Sequence, residues 1–316
     1  MTSIWIRRGV RGLVVLALLG VIAMSLPLLL SGNPALAVLG PEASPERVSA
    51  FLAQTNLDDS PLARLRSWLG NAFQGNFGTS LVTGRSITGE MAHRLPITLE
   101  LLVASQLVAL GIAIPVAMAS AWKPGGIFDR IGTLSSFALI SVPSFIFALV
   151  LIAVFAVMLG ILPATGWVDP GEDIVGHLRH LALPALSTGV VEAAVLVRLL
   201  RSDLIATLDE PYILAARSRG MNPARLLITR ALRPSSFSTL TIVGMNLGLA
   251  FGGSVLIESI FAVPGMGRLA MTAIETRDFP VIEAVIIFSG IAVVTASLAV
   301  DAIYTLVDPR TRHAHR

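Results

Sequence analysis

Four carboxylates of this 316-residue sequence lie within or at the ends of long apolar runs: Glu100, Glu192, Glu258 and Asp301. A charge in hydrocarbon is costly unless it meets water or a partner, so each marks a hydrated path, a proton site or a buried pair. Glu192 stands nearest the middle of its run, and Glu258 lies towards the end of another; both are candidates for lining a path or gate. Glu100 sits at headgroup depth, and Asp301 is read as one half of a structural pair with an arginine. His177 and His180 are three residues apart, which places two imidazoles on one helical face, but a metal site requires more ligands, and none is expected. No Gly-x-Ser-x-Gly or His-Glu-x-x-His pattern is present, so hydrolytic chemistry has no visible nucleophile or zinc site. The sole lysine, Lys123, lies between Trp122 and Pro124, whereas a phosphate-binding P-loop requires Gly-Lys-Ser/Thr. The chain therefore carries no such ATPase site, and no enzymatic role is expected of it.

The elements that must position these groups are membrane helices. The sequence is 54% hydrophobic and only 14% charged, too apolar for an ordinary soluble domain, and it lacks cysteine. Arg7, Arg8 and Arg11 precede the uncharged run Gly12 to Leu30, which is long enough to span and is read as a retained anchor rather than a cleaved signal. Residues 31–95 turn polar and read as a folded insertion outside the bilayer, with helical spacing at Val48 to Leu57 and Leu62 to Phe73 and a loop over Gly75 to Ser80. Five further spans follow: Leu101 to Trp122, Ile131 to Leu162, Leu181 to Leu200, Ser235 to Phe261 and Ala284 to Val307. The chain thus divides into 1–30, 31–95 and a core of 96–316 with a cytosolic loop at 201–234. Fifteen of the 23 basic residues fall in the segments assigned to the inside, which places both termini in the cytosol. The same clustering at span ends explains the net charge of +3 without nucleic acid. Gly244, Gly248 and Gly252 repeat every four residues and present a ridge on which another helix can pack closely.

Between the fourth and fifth spans lies Asp209 to Pro234, rich in arginine. Asp209 and Glu210 supply first-turn acidic charge, Pro211 suits a helix start, and Gly220 supplies the stop. Asn222-Pro223 then reads as a new N-cap and first turn, giving helix, tight turn, helix. The first helix is expected to run about ten residues, or roughly 15 Å.

Tyr212-Ile213-Leu214-Ala215-Ala216-Arg217-Ser218-Arg219-Gly220, with Arg230-Ala231-Leu232-Arg233 ten residues on, closely resembles the EAA-type coupling motif of permease subunits of ABC importers. The nearest resemblance is to the B-type permease of dipeptide and oligopeptide importers. Gly40 to Glu46, Phe77 to Ser80, Arg94 to Glu100, Glu258 to Arg268, Asp301 to Tyr304 and Asp308 to Arg310 extend it over essentially the whole chain. Pro211, Leu214, Arg230 and Pro234 depart from the residues usual in that motif. The resemblance implies an all-α integral membrane protein of six transmembrane helices, the type I ABC importer permease fold, with a small extracytoplasmic insertion between helices 1 and 2. It implies ATPase coupling through Tyr212, Ala215, Ala216, Arg217 and Gly220, and path or gate roles for Glu258, Phe261 and Pro264 beside Glu192. It further implies a second homologous permease, two ATP-binding subunits that hold ATP and Mg, an extracytoplasmic substrate-binding protein and a prokaryotic plasma (inner) membrane. No cofactor belongs to this chain. Peptides are the expected substrate; nickel chelates, haem and glutathione are carried by similar importers, and a proton-coupled secondary transporter using Glu192 or Glu258 is the reading from another class.

Overall fold

A computed structural model describes the backbone of residues 2–29, 34–40, 42–49 and 59–307, with the side chains of 2–5, 28–29, 34, 37–38, 247–253 and 300–307 outside the description. Among the described residues all regular structure is helical, apart from one isolated antiparallel bridge between Thr79 and Ser86. Residues 45–49 are helical, and the remainder of the helix expected over Val48 to Leu57, like the side chain of Asp301, lies outside the described residues. The chain forms two compact units, Met1–Thr98 with Phe251–Val255 and Pro264–Arg316, and Leu99–Ala250 with Leu256–Val263.

The first unit holds α1 (Thr2–Leu29), α2 (Pro34–Leu39), α3 (Pro61–Ala72), the start of α4 (Ile87–Trp122), α11 (Met266–Thr276) and α12 (Phe279–Val307). Ser60 caps α3 by accepting from the Ala63 amide, and Pro61 occupies the first turn, where its missing N–H is not needed. Helices α1 and α12 approach closely because glycines face side chains. A Cβ on Gly12 would stand 2.8 Å from Val294, and one on Gly290 2.8 Å from Leu19. Gly20 likewise leaves room for Leu65 of α3. The polar segment after α1 is thereby packed onto membrane helices. Arg64 of α3 is buried, donates to the Met24 carbonyl at 2.7 Å and pairs with the buried carboxylate of Glu283 on α12.

In the second unit, the rest of α4 is followed by α5 (Ile127–Ile140), then α6 (Ser144–Leu151) with a π-helical continuation over Ile152–Met158. Helix α7 (Ile174–Leu208) leads to α8 (Pro211–Ser218), α9 (Pro223–Leu226) with its π-helical continuation Leu227–Ala231, and α10 (Leu232–Ile260). Small side chains allow α4 and α7 to close on each other: Ala109, Ala113 and Ala193 are buried with Leu196, Val197 and Val243. A Cβ on Gly189 would lie only 2.6 Å from the Ser105 carbonyl.

Ile6–Pro27 of α1, α4, α7 and Phe279–Ala299 of α12 are long and apolar enough to cross a bilayer. The expected third span is not one straight helix. Its two halves, Ile127–Ile140 and Ser144–Met158, meet at a bend of 102°, and they add a fifth crossing if the bent pair counts as one. The break falls at Val142-Pro143, since proline lacks an amide donor and disfavours helical backbone in the residue before it. The remaining expected crossing, the fifth span Ser235 to Phe261, corresponds to α10, 29 residues long, part of whose side chains lie outside the description.

Element ends also differ from the reading of hydropathy alone. Helix α4 begins at Ile87, inside the stretch read as insertion, because Ser86 caps it and Glu90 bonds Arg94 one turn on. Helix α7 starts at Ile174, where the Asp173 carboxylate accepts from the Val175 amide at 3.0 Å, and α11 occupies the expected outer loop 262–283.

Candidate functional site

Helix α8 is eight residues long, about 12 Å at 1.5 Å per residue and shorter than the ten expected. Pro211 starts it, and a Schellman turn ends it. The Met221 amide donates to the Ala216 carbonyl at 3.3 Å and the Gly220 amide to the Arg217 carbonyl at 2.9 Å, with Gly220 at φ +79°. The side chain of Asn222 then caps α9 through the Ala224 amide at 2.9 Å. The turn and the second cap follow the sequence reading.

The two faces of α8 do different work. Ile213 is fully buried and Ala216 nearly so, packed with Ala117 and Ala121 of α4, Leu200 and Leu204 of α7, and Leu226 and Ala231 beyond the turn. Tyr212 and Leu214 are about half exposed, at 48% and 50%, and Ala215, Arg217 and Gly220 are exposed. Of the five residues predicted for coupling, Ala216 thus faces the chain's own core, and the other four lie open. Burying Ile213 contributes about 1.5–3 kcal/mol, enough to fix a helix too short to stand alone in water. Ile213 was not singled out from the sequence, although its spacing of three from Ala216 was a readable sign.

Among the path candidates, Glu192 of α7 accepts a hydrogen bond from Gln106 of α4, and the Oε1 atom of Gln106 is buried without a protein partner. Glu258 is fully buried at the end of α10, where its carbonyl accepts the Val263 amide at 2.8 Å. That turn repeats the Schellman pattern with Ala262, at φ +55°, in the position α8 gives to glycine. Phe261 is 1% exposed and its carbonyl accepts the Gly166 amide at 2.8 Å. Pro264 begins the adjoining segment of the first unit and is half-buried. On α10, Gly244 is half-buried, while the surroundings of Gly248 and Gly252 lie outside the described side chains.

Other polar groups pair across helices in ways periodicity does not reveal. His177, buried in the first turn of α7, contacts Glu100 at 2.6 Å and the Val168 carbonyl at 2.8 Å, whereas His180 contacts the Gly176 carbonyl. The two imidazoles therefore engage different partners. Arg201 of α7 makes a two-pronged pair with Asp129 of α5, whose carboxylate also accepts the Gly125 amide at 2.7 Å. In the first unit Asp278 accepts from the Ser80 hydroxyl and the Leu81 amide, tying the loop before α4 to the start of α12.

Several apolar crossings, with a short helix that keeps one face in the core and leaves the other exposed, fit a multi-pass membrane permease. The family model for the inner membrane component of binding-protein-dependent transport systems matches residues 111–313. The chain belongs to that family. The oligopeptide transport system permease protein AppB of Bacillus subtilis is 35% identical over 301 residues, covering 94% of this chain and 95% of the relative. A Brucella abortus protein with the provisional name of a peptide transport system permease is 35% identical over 314 residues, covering 99% of this chain and all of the relative. The chain is thus a transmembrane permease subunit of an ABC importer.

Proposed function

We propose that this permease carries dipeptides or oligopeptides, forms half of the pore with a second homologous permease, and receives force from two ATP-binding subunits through α8. The observation that carries the reading is the division of α8 into a face anchored by Ile213 and Ala216 and a face open at Tyr212, Leu214, Ala215 and Arg217. The names of the two relatives support the substrate class.

The mechanism follows from that geometry. Closure of the ATPase pair around ATP and Mg pushes on the open face. Ile213 and Ala216 cannot move without displacing Leu200 and Leu204 of α7 or Ala117 and Ala121 of α4, because close-packed interiors transmit strain instead of absorbing it. The push thereby reaches the helices that hold the Gln106–Glu192 pair, and the pore changes its open side. The ATPase must favour one pore state by differential interaction, since equal binding to both shifts nothing. Loop 201–234 and both termini face the cytosol of a prokaryotic inner membrane. The substrate-binding protein delivers peptide from the other side, and the chain itself is non-catalytic.

The test is purification of the tagged chain with its untagged partners, followed by reconstitution with the binding protein and a labelled peptide. Uptake should require ATP and survive an uncoupler. Uptake that collapses with the uncoupler and persists without ATP would replace this reading by proton coupling through Glu192 or Glu258.

A further inference from the structure

A cavity of about 590 Å³ in the second unit is lined by neither α8 nor the Gln106–Glu192 pair; its walls include Thr133 and Phe137 of α5, Arg198, Arg201 and Ser202 of α7, and Ile242 of α10. Two of its lining residues are cationic and none is acidic. One of the two charges is already answered. Arg201 is held by Asp129 through both of its forked donors. Arg198, one turn earlier on α7, has no ion-pair or hydrogen-bond partner among the described residues. Its guanidinium lies 4.4 Å over the ring of Phe137.

That contact anchors the guanidinium over the ring without using its N–H donors, with which arginine grips carboxylate or phosphate in two-pronged fashion. Arg198 is exposed and stands two residues before the end of the expected span Leu181 to Leu200, which puts its charge near the headgroups on the side assigned to the cytosol. A cation at headgroup depth attracts anionic oxygens. We propose that the cavity is an oxyanion site in which Arg198, oriented by Phe137 and assisted by the Ser202 hydroxyl, binds a carboxylate or phosphate oxygen. Two sources supply that chemistry: the phosphate of an anionic lipid and the free C-terminal carboxylate of a peptide cargo. The second source rests on the function proposed above; the first does not.

The experiment has one arm for each source, with Arg198→Gln as the removal and Arg198→Lys as the variant that keeps charge but loses the planar fork. In the lipid arm, the purified full chain is titrated with phosphatidylglycerol and with phosphatidylcholine, and adducts are counted by native mass spectrometry. Wild type should retain phosphatidylglycerol about tenfold better than Arg198→Gln, the size of one charge-assisted hydrogen bond, with phosphatidylcholine unchanged. In the cargo arm, the assembled transporter in phosphatidylcholine vesicles is given a tripeptide as free acid and as C-terminal amide. Arg198→Gln should lower free-acid uptake about tenfold and leave amide uptake unchanged. Arg198→Lys should fall between in whichever arm responds. A response in either arm supports the site and names its source. The proposal is overturned if neither arm responds in variants that melt like wild type, or if Arg198→Gln instead loses its partner subunits on purification, which would put the guanidinium against a protein carboxylate. Failure of any ATPase to co-purify with wild type would defeat the proposed function while leaving the lipid arm readable.

Discussion

Arg64 and Glu283, 219 residues apart, form an ion pair with both side chains buried, and Arg64 also holds the Met24 carbonyl at the end of α1. One guanidinium therefore ties α3 to two membrane helices. This anchors α3, in the middle of the polar segment, to the membrane helices α1 and α12.

That pair makes the first prediction. Arg64→Met leaves a carboxylate buried without its partner and should cost about 3–5 kcal/mol, whereas the double variant Arg64→Met/Glu283→Leu should recover most of the loss. Thermal unfolding of the single and double variants beside wild type in detergent checks this. A double variant as unstable as the single one would show that the carboxylate was not the source of the damage.

The anchored face of α8 yields the second. Ala216→Phe forces a ring into the cluster around Leu200, Leu204 and Leu226, and Gly220→Pro removes the amide that closes the turn onto Arg217. Either change should preserve membrane insertion and partner ATP hydrolysis while uptake falls at least about tenfold, a loss of roughly 1.4 kcal/mol of coupling. Tyr212→Asp, on the open face, should instead weaken retention of the ATPase during purification. Normal uptake by Ala216→Phe at wild-type expression would remove the lever from the mechanism.

The two similar turns supply the third. Gly220 and Ala262 occupy the same left-handed position after α8 and α10, at φ +79° and +55°. Ala262→Gly should stabilise by up to about 1 kcal/mol by relieving backbone strain, and Ala262→Val should destabilise by more than that. Melting temperatures moving in opposite directions would confirm the pairing. A lower melting temperature for the glycine variant would refute it.

Glycine spacing gives the fourth. Gly189→Ala puts a methyl group 2.6 Å from the Ser105 carbonyl and 2.7 Å from Val108, and should cost about 1–3 kcal/mol through overpacking. Gly111→Ala, in α4 with nothing within 4 Å, should stabilise by about 0.5–1 kcal/mol through helix propensity alone. Parallel melts of the two variants measure the difference, and equal effects would contradict the close approach of α4 and α7.

Much of this protein was decided locally and could be read from the sequence. The density of Leu, Val and Ala puts the chain in a bilayer; Gly220 ends α8, and Asn222-Pro223 starts α9, because caps and left-handed turns depend on residues within a few positions of each other. What only the tertiary structure decided was which neighbour each group meets. Hydropathy marks Ile131 to Leu162 as one apolar run, and the tertiary structure bends it at Val142-Pro143. Periodicity allows Ala216 to face a partner, and packing turns it and Ile213 inward. Asp129 with Arg201, Gln106 with Glu192 and Arg64 with Glu283 are joined across 72, 86 and 219 residues. Lipid and protein interior are both apolar, so a helix's composition says that it is buried without saying in what; only the geometry of the neighbouring helices breaks that tie.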